Sequence, residues 1–181
     1  MNRSDVNLYL VGFMGTGKTT VGRLLAQKIG FEILDSDKEI EKKEGSTISD
    51  IFSKQGEAAF RGMEKEFIFN GHPKTKAVIS CGGGLVVQPG MKEELQSRGV
   101  VVCLHASIET ILERTKRQNT RPLLAVDDPD KQVRMLYSQR ELIYKSSGTV
   151  VLTDQRPIKD IVAHVYRIWE REAAEFARFH S

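Results

Sequence analysis

The sequence predicts an α/β protein in which helices flank a five-stranded parallel sheet, and two observations lead to this fold class. Five short apolar runs rich in Val, Ile and Leu alternate with longer stretches of helical period. A glycine-rich segment also lies between the first apolar run and the first helical stretch, where α/β proteins bind phosphate groups. With no internal repeat and no linker, the 181 residues are expected to form one domain over residues 1–181.

The strands and the first helix follow from these patterns. The predicted strands are residues 6–11, 31–34, 77–81, 100–104 and 149–152. An apolar stripe at helical spacing predicts the first helix, and it consists of Val21, Leu24, Leu25 and Ile29. Gly30 follows this stripe, at the position where a helix C-cap is expected.

The later connections are also predicted to be helical. Residues 37–72 form a long second connection with two or three helical pieces, one of them over residues 57–70. Pro89 and Gly99 bracket a short helix in the usual order of proline first and glycine last. A final helix begins near Pro157, and its apolar stripe is expected to pack on the sheet.

One polar segment matches no core element. Residues 118–131 contain two prolines and three aspartates, which is too polar and too interrupted for a buried strand or helix. Loops of this length are usually functional, and near a ligand they often cover it. We therefore expect a mobile lid over about residues 115–131.

Composition excludes several classes of protein. With 40% hydrophobic and 28% charged residues the chain is globular, and its net charge of +3 is too small to indicate a nucleic-acid surface. Cys81 and Cys103 both lie in apolar runs, which argues against a disulfide and favours the cytoplasm. No stretch approaches the length of a membrane span, and the N-terminus does not resemble a secretory signal.

A phosphate-binding motif follows the first predicted strand. Gly12 begins the sequence GFMGTGKT, which matches the pattern G-x-x-x-x-G-K-[ST] and is followed by a helix. Its glycines allow successive backbone amides to face phosphate oxygens. Lys18 is expected to contact the outer phosphates, and the Thr19 hydroxyl to bind Mg²⁺. The motif indicates a nucleoside triphosphate, but it does not identify the acceptor of the phosphoryl group or distinguish transfer from hydrolysis.

Two carboxylates mark the end of the second predicted strand. Alternation along an extended segment would place Asp35 and Asp37 on the same side, so that one supports Mg²⁺ while the other faces an acceptor hydroxyl. The alternative is that Asp37 caps a helix beginning at Lys38. The glycines at 82, 83 and 84 follow the third strand and allow either close approach of a ligand or a flexible turn.

Three arginines are candidate ligand-binding residues. Arg61 lies beside an apolar helical stripe, with Glu64 as a possible partner. Arg140 occupies an inward position of another stripe, so it needs either a structural ion pair or a ligand carboxylate. Arg121, in the expected lid, is either solvated or able to reach the transferring phosphate.

Taken together, these motifs resemble those of the shikimate kinase family over nearly the whole chain. The resemblance includes the phosphate loop, Asp35-Ser-Asp37, a Gly-Glu-x-x-Phe-Arg-x-x-Glu segment at residues 56–64, the three glycines and the Arg-Pro-Leu-Leu sequence at 121–124. It implies a P-loop nucleoside-kinase-like fold with a mobile lid, an acceptor-binding segment over about residues 37–72, and a monomer. The implied reaction is transfer of the ATP γ-phosphoryl group to the 3-hydroxyl of shikimate.

The resemblance also assigns residues to roles. The catalytic residues it implies are Lys18, Asp37 and Arg121. The ATP-binding residues it implies are Gly15, Thr16, Gly17, Lys18, Thr19, Thr20, Arg114, Arg121 and Arg156. The shikimate-binding residues it implies are Asp37, Arg61, Gly83, Gly84 and Arg140, and the magnesium-supporting residues are Thr19 and Asp35. Apolar walls of the acceptor pocket would come from Ile48, Phe52, Phe60, Pro122 and Leu123.

Other functions use the same phosphate loop. A kinase for another hydroxylated acid such as gluconate, or for a nucleoside monophosphate, would share it, although a monophosphate kinase needs more cations than the two anion-facing arginines offer. A nucleotide-binding regulator without catalysis would be expected to lack Asp37, Arg61 or Arg140, and all three are present. No nucleic acid or membrane partner is expected.

Overall fold

The structure is a computed structural model that describes residues 2–116 and 128–179. Its strands are β1 (Asn7–Val11), β2 (Glu32–Asp35), β3 (Ala77–Ser80), β4 (Gly99–His105) and β5 (Thr149–Leu152). They form one parallel sheet in the order β2-β3-β1-β4-β5. The predicted fold class is confirmed, and each predicted strand is present with its ends displaced by no more than one residue.

Helices cover both faces of the sheet. In chain order they are α1 (Lys18–Ile29), α2 (Ser36–Glu44), α3 (Ile48–Asn70), α4 (Met91–Arg98), α5 (Ile108–Thr115), α6 (Pro129–Ser146) and α7 (Ile158–Phe179), and a short 3₁₀ helix, Arg3–Asp5, precedes β1. Within α3 the helical conformation is interrupted at Gly56, whose φ is 82° and ψ is 168°. The second connection therefore holds three helical pieces, as predicted.

The hydrophobic core consists of two layers, one on each face of the sheet. Leu8 and Leu10 of β1 pack with residues of α1 and α7, including the apolar stripe of α7. Tyr9 and Val11 point to the opposite face and pack with residues of α3, α4, α5 and α6. This alternation on a fully buried strand explains why β1 has a continuous apolar sequence.

The boundary of the predicted lid needs a correction. Helix α6 begins at Pro129, so residues 129–131 are helical rather than part of a loop. Asp128 is the N-cap, because its Oδ1 accepts a hydrogen bond from Lys131 N at 3.0 Å, and Pro129 occupies the first helical position. At the other end, Thr115 belongs to α5. The predicted lid over residues 117–127 lies outside the described residues.

Both cysteines are buried and free. Burial raises the pKa of the Cys81 thiol far above its ordinary value and that of Cys103 to about 11. In the parts of the chain that the structure describes, we find no helix with the length and apolarity needed to cross a bilayer.

Candidate active site

The loop between β1 and α1 has the backbone geometry of a phosphate loop. Gly12 has a φ of 135°, and a Cβ at this position would overlap the carbonyl oxygen of Leu104 on β4. Gly15 and Gly17 also have positive φ values of 77° and 94°. Gly17 is the N-cap of α1 and supplies no side-chain hydrogen bond, so the helix N-terminus is left for an anion.

Lys18 lies in the first turn of α1, and its side chain folds back over this loop. Its Nζ donates hydrogen bonds to the carbonyl oxygens of Gly12 at 2.9 Å and Phe13 at 3.0 Å. The Thr16 hydroxyl donates to the same Phe13 oxygen at 2.8 Å. Lys18 lines the cavity and is only 9% exposed, so water screens little of its charge.

Three hydroxyl and carboxylate groups meet beside the loop, at the carboxyl ends of β2 and β3. Thr19 Oγ1 donates to Asp35 Oδ2 at 2.7 Å and lies 3.2 Å from Ser80 Oγ. Hard oxygen ligands of this kind are those that Mg²⁺ takes in proteins, usually together with waters and substrate phosphates. No cluster of three or more His, Cys, Asp or Glu suited to a metal occurs in residues 2–116 and 128–179. The site therefore suits a nucleotide-bound Mg²⁺ better than a metal held by the protein alone.

Two arginines lie on the side of the loop away from Asp35. The Arg114 guanidinium donates to the carbonyl oxygen of Gly15 at 3.1 Å and to Thr153 Oγ1 and O at 3.1 and 2.9 Å. Arg156 Nη1 donates to Leu152 O at 3.1 Å. Each guanidinium is thus anchored to neutral acceptors, and its planar face is suited to stacking on a nucleotide base.

These groups line one cavity of about 590 Å³. The predicted site residues that line it are Gly15, Thr16, Gly17, Lys18, Thr19, Thr20, Asp35, Asp37, Gly83, Arg114 and Arg156. Ser80, Gly82 and Thr153 line the cavity as well. The structure therefore brings the predicted nucleotide-binding residues of the described chain and the predicted catalytic carboxylate Asp37 into a single space.

The position of Asp37 corrects one step of the sequence reasoning. Asp35 is the last residue of β2, and α2 begins at Ser36, so Asp37 lies in the first turn of a helix rather than on an extended segment. The N-cap is Asp35, so the alternative of Asp37 capping a helix from Lys38 is also wrong. The turn is fixed by Ser36 Oγ, which accepts a hydrogen bond from Gly82 N at 2.8 Å.

Arg61 is held by two glutamates of its own helix. Its Nη1 donates to Glu64 Oε2 at 2.6 Å, and its Nη2 and Nε donate to Glu57 Oε1 at 2.8 and 3.2 Å. A Cβ at Gly84 would overlap the guanidinium, so the glycine permits this close approach. Burial works against the charge of Arg61, but Glu64 more than offsets it and the pKa of Arg61 is raised.

Glu64 is a buried carboxylate at the centre of the acceptor side. It is fully buried, and burial raises its pKa to about 7 although Arg61 opposes the shift. Its Oε2 also accepts a hydrogen bond from Gln88 Nε2 at 2.8 Å. A Cβ at Gly82 would overlap both Glu64 Oε1 and Asp37 Oδ1, so glycine at this position lets the two carboxylates lie close together.

Arg140 lies on α6, close to the same cluster. The Tyr144 hydroxyl donates to the carbonyl oxygen of Gly83. Burial raises the pKa of Tyr144 to about 12, and the nearby charge of Arg140 opposes the shift. The ion pairs formed among residues 2–116 and 128–179 do not include Arg140. Unlike Arg61, Arg140 therefore makes no direct ion pair in the described chain, although its charge lies near enough to Glu64 to favour the ionised carboxylate.

Aromatic side chains border this cluster. The rings of Phe52 and Phe60 lie 5.1 Å apart, and the Arg61 guanidinium lies 5.5 Å from the centre of the Phe60 ring. Ile48 and Phe52 are partly buried against the core. Among the other predicted residues of the site, Arg121, Pro122 and Leu123 lie outside the described residues.

Sequence reasoning missed three polar residues of the site. Ser80 could have been identified from the sequence, because it is a polar residue at the end of the apolar strand β3, at the edge where ligands bind. Thr153 follows β5 at the same edge. Gln88 carries no signal of its own, since one glutamine before a proline in a turn is ordinary and its contact with Glu64 spans 24 positions.

A parallel sheet with a phosphate loop, a candidate Mg²⁺ site and an adjacent cluster of acidic and basic side chains defines a P-loop kinase of small molecules. The family model described as shikimate kinase matches residues 14–170. A shikimate kinase of Thermodesulfovibrio yellowstonii is 41% identical over 165 residues, which cover 91% of this chain and 95% of that protein. The chain belongs to the shikimate kinase family.

Solved structures agree with this assignment. The shikimate kinase of Acinetobacter baumannii in complex with shikimate superposes with a TM-score of 0.85 at 41% identity, covering 90% of this chain and 92% of that chain. A gluconokinase of Sinorhizobium meliloti has a TM-score of 0.59 at 19% identity, covering 99% of both chains, and shares the fold alone. The activity of the chain is that of its family, the ATP-dependent phosphorylation of shikimate, as the sequence predicted.

Proposed function

We propose that this protein transfers the γ-phosphoryl group of ATP to the 3-hydroxyl group of shikimate, with the triphosphate on the loop before α1 and the acceptor beside Asp37. One observation carries the proposal: Lys18, Thr19 and Asp37 line the same cavity of about 590 Å³. This volume lies within the range of small-molecule sites. A donor phosphate and an acceptor hydroxyl bound there would meet without water between them.

The nucleotide is bound mainly by the phosphate loop. Residues 15–20 surround the phosphates, and the α1 N-terminus favours their negative charge. Arg114 and Arg156 flank the adenine, because both line the cavity on the side away from Asp37 and both are anchored through carbonyl oxygens. ATP would replace the loop carbonyl oxygens as the partner of the Lys18 ammonium.

Magnesium would be held by Thr19 directly and by Asp35 through water. The 2.7 Å hydrogen bond between these two side chains supports this assignment, because it places a hydroxyl and a carboxylate beside the phosphate loop. When bound, Mg²⁺ neutralises charge on the phosphate oxygens during transfer.

Shikimate offers one carboxylate and several hydroxyl groups, and we assign them to different partners. Arg61 and Arg140 bind the carboxylate, and the backbone of Gly83 and Gly84 lies against the same end of the acceptor. The Nη2 and Nε groups of Arg61 are bound to Glu57, which is 52% exposed at its side chain and can release them to a ligand carboxylate. The A. baumannii relative, solved in complex with shikimate, supports the choice of acceptor.

Asp37 orients the 3-hydroxyl and accepts its proton as the reaction proceeds. The hydroxyl oxygen forms a bond to the γ-phosphorus, the bond between that phosphorus and the β,γ-bridging oxygen breaks, and ADP leaves. Phosphoryl transfer has a loose transition state with charge on the equatorial oxygens. Lys18 and Arg121 stabilise this charge electrostatically, so positioning supplies most of the remaining acceleration.

An acceptor panel tests the substrate assignment. ADP release with Mg²⁺ is measured in the presence of shikimate, quinate, gluconate and nucleoside monophosphates. Shikimate is expected to stimulate release far more than the others. Nucleoside monophosphates have no carboxylate for the two arginines, and quinate and gluconate carry a carboxylate and hydroxyl groups but do not hold them in the arrangement that the shikimate ring fixes. An equal response to gluconate would remove the substrate assignment while leaving the kinase chemistry in place.

We also propose that the enzyme acts as a monomer in the cytoplasm, without a nucleic acid or membrane partner. Two free, buried thiols suit a reducing compartment, and a net charge of +3 offers little attraction to polyanions. Light scattering coupled to gel filtration measures the mass of the particle. A mass of two chains at assay concentration would contradict the monomer.

A further inference from the structure

We propose that Gln88 is a positioning residue for shikimate binding, acting through Glu64 to hold the Arg61 guanidinium at the acceptor site. Gln88 lies in the turn after the three glycines, outside the cavity that receives ATP, and its Nε2 donates to Glu64 Oε2 at 2.8 Å. The same oxygen accepts from Arg61 Nη1 at 2.6 Å. This inference rests on the proposed role of Arg61 in binding the substrate carboxylate.

The geometry explains why Glu64 needs a second donor. Its side chain is buried among α3, α2 and the glycine segment, and Oε1 has no hydrogen-bond partner in the described chain. A buried carboxylate stays ionised only when enough donors offset the loss of water. Without Gln88, Arg61 would be the single donor to Glu64 among the described residues. A neutral carboxyl group would then release Arg61 toward Glu57 on the surface.

The charged groups around Glu64 show what a neutral donor achieves. Arg61 and Arg140 favour its ionised form, whereas Asp37 disfavours it. Cys81 follows β3 directly, and the Glu64 charge contributes to the raised pKa of its thiol. Gln88 stabilises the Glu64 carboxylate without adding a cation that would compete with Arg61 for Glu64. Arg61 then remains beside Gly84 before the substrate arrives.

The test separates binding of the acceptor from chemistry. Gln88→Met keeps the length of the side chain and removes the donor. It is expected to raise the KM for shikimate roughly tenfold, the size of effect that loss of a hydrogen bond to a charged group produces, with kcat and the KM for ATP within about twofold. The increase should be larger at pH 6 than at pH 8, because fewer donors make Glu64 protonate more readily.

Two further variants keep the proposal testable if Gln88→Met does not fold. Gln88→His retains a neutral donor of similar reach at pH 8 and should have a shikimate KM close to that of the wild type there, whereas Gln88→Glu places a second acid beside Glu64 and should raise it most. Equal KM values for these two variants would overturn the proposal. Gln96→Met is the matched control, because Gln96 also donates its amide, at 3.1 Å, but to Ser147 O away from the site.

A double-mutant cycle tests the route through Glu64. If Gln88 acts through Glu64, Gln88→Met should have no further effect on the shikimate KM in a Glu64→Gln background. The same increase in both backgrounds, or no increase in either, would contradict it.

Arg61→Met is measured in parallel, to distinguish failure of the proposed function from failure of the role of Gln88. An unchanged shikimate KM in Arg61→Met would contradict the proposed role of Arg61 itself. A raised KM in Arg61→Met together with an unchanged KM in Gln88→Met would contradict only the role proposed for Gln88.

Discussion

The nucleotide side and the acceptor side of the active site hold their cations in different ways. On the nucleotide side, Lys18 and Arg114 donate to backbone carbonyl oxygens of the phosphate loop. On the acceptor side, Arg61 donates to the carboxylates of Glu57 and Glu64. Neutral acceptors leave the full positive charge for a polyanionic triphosphate, whereas carboxylates offset part of it, which suits a ligand with a single negative charge.

This difference also determines what each side depends on. Carbonyl oxygens do not titrate, so the contacts of Lys18 and Arg114 with the phosphate loop do not change with pH. Glu64 has a pKa raised to about 7 by burial, so the acceptor side changes its charge near neutrality. The four predictions below test this contrast, beginning with the largest expected effect.

Asp37→Asn should have the largest effect, and this effect should be on turnover rather than on ATP binding. Because the amide cannot accept the hydroxyl proton, kcat should fall by roughly 10²–10⁴, the usual contribution of a general base. The KM for ATP should change little, since the phosphate loop is intact. Steady-state kinetics with both substrates varied measures this. Asp160→Asn, on the exposed first turn of α7, is the control, and unchanged turnover in Asp37→Asn would exclude a role as base or orienting group.

Arg140→Ala should weaken acceptor binding with less effect on chemistry. Loss of a charge-assisted contact is expected to raise the KM for shikimate by roughly 10- to 100-fold. Arg134→Ala, on the same helix with a side chain that is 55% exposed, should leave the KM unchanged. The assignment fails if Arg140→Ala affects only the binding of ATP.

Glu64→Gln should change the pH dependence of stability. The pKa of Glu64 is raised by folding, so between about pH 4 and 7 the native state binds more protons than the unfolded state. This contribution to the free energy of unfolding is complete below the unfolded pKa and is lost as the pH rises toward 7. Glutamine does not titrate, so the stability of wild type relative to the variant should fall by about 1–3 kcal/mol across this interval.

Urea denaturation from pH 4.5 to 8 measures this difference. The matched control is Glu66→Gln on the exposed side of α3, where the carboxylate accepts a hydrogen bond from Asn70 at 3.0 Å. A difference between wild type and Glu64→Gln that is constant with pH would mean that the Glu64 pKa is not raised by folding.

Arg156→Ala should have the smallest effect. The guanidinium lines the nucleotide cavity but is partly exposed, and its anchor is a carbonyl oxygen at 3.1 Å. Loss of one stacking contact should raise the KM for ATP by roughly three- to tenfold and leave the KM for shikimate unchanged. Arg167→Ala, which is exposed on α7, serves as the comparison. A change confined to the shikimate KM would show that Arg156 acts on the acceptor rather than on the nucleotide.

The nucleotide side could be predicted from sequence to a greater extent than the acceptor side, and the reason is distance along the chain. Gly12, Lys18 and Thr19 belong to one continuous segment, so their spacing alone specifies a loop between a strand and a helix. The strands could be predicted equally well, because a fully buried parallel strand has a continuous apolar sequence.

The acceptor side depends on contacts between segments, which no local pattern contains. The sequence placed Asp37 near the correct edge, but the extended geometry was wrong because α2 begins directly after β2, with no residue between them to mark the change. It named Glu64 as a possible partner of Arg61 but could not show that Glu64 is fully buried or that Gln88 donates to it. Burial and long-range hydrogen bonds follow from the packing of α3 against the glycine segment.

The burial of the two cysteines has a practical consequence for experiments on this enzyme. Maleimides and iodoacetamide react with the thiolate form, and both native sulfur atoms are protonated and shielded at neutral pH. A fluorescent reporter can therefore be attached to a new cysteine on the surface, for example in Ser138→Cys on the exposed face of α6, without removing either native residue. Ligand-induced movement of that helix can then be followed in otherwise unaltered protein.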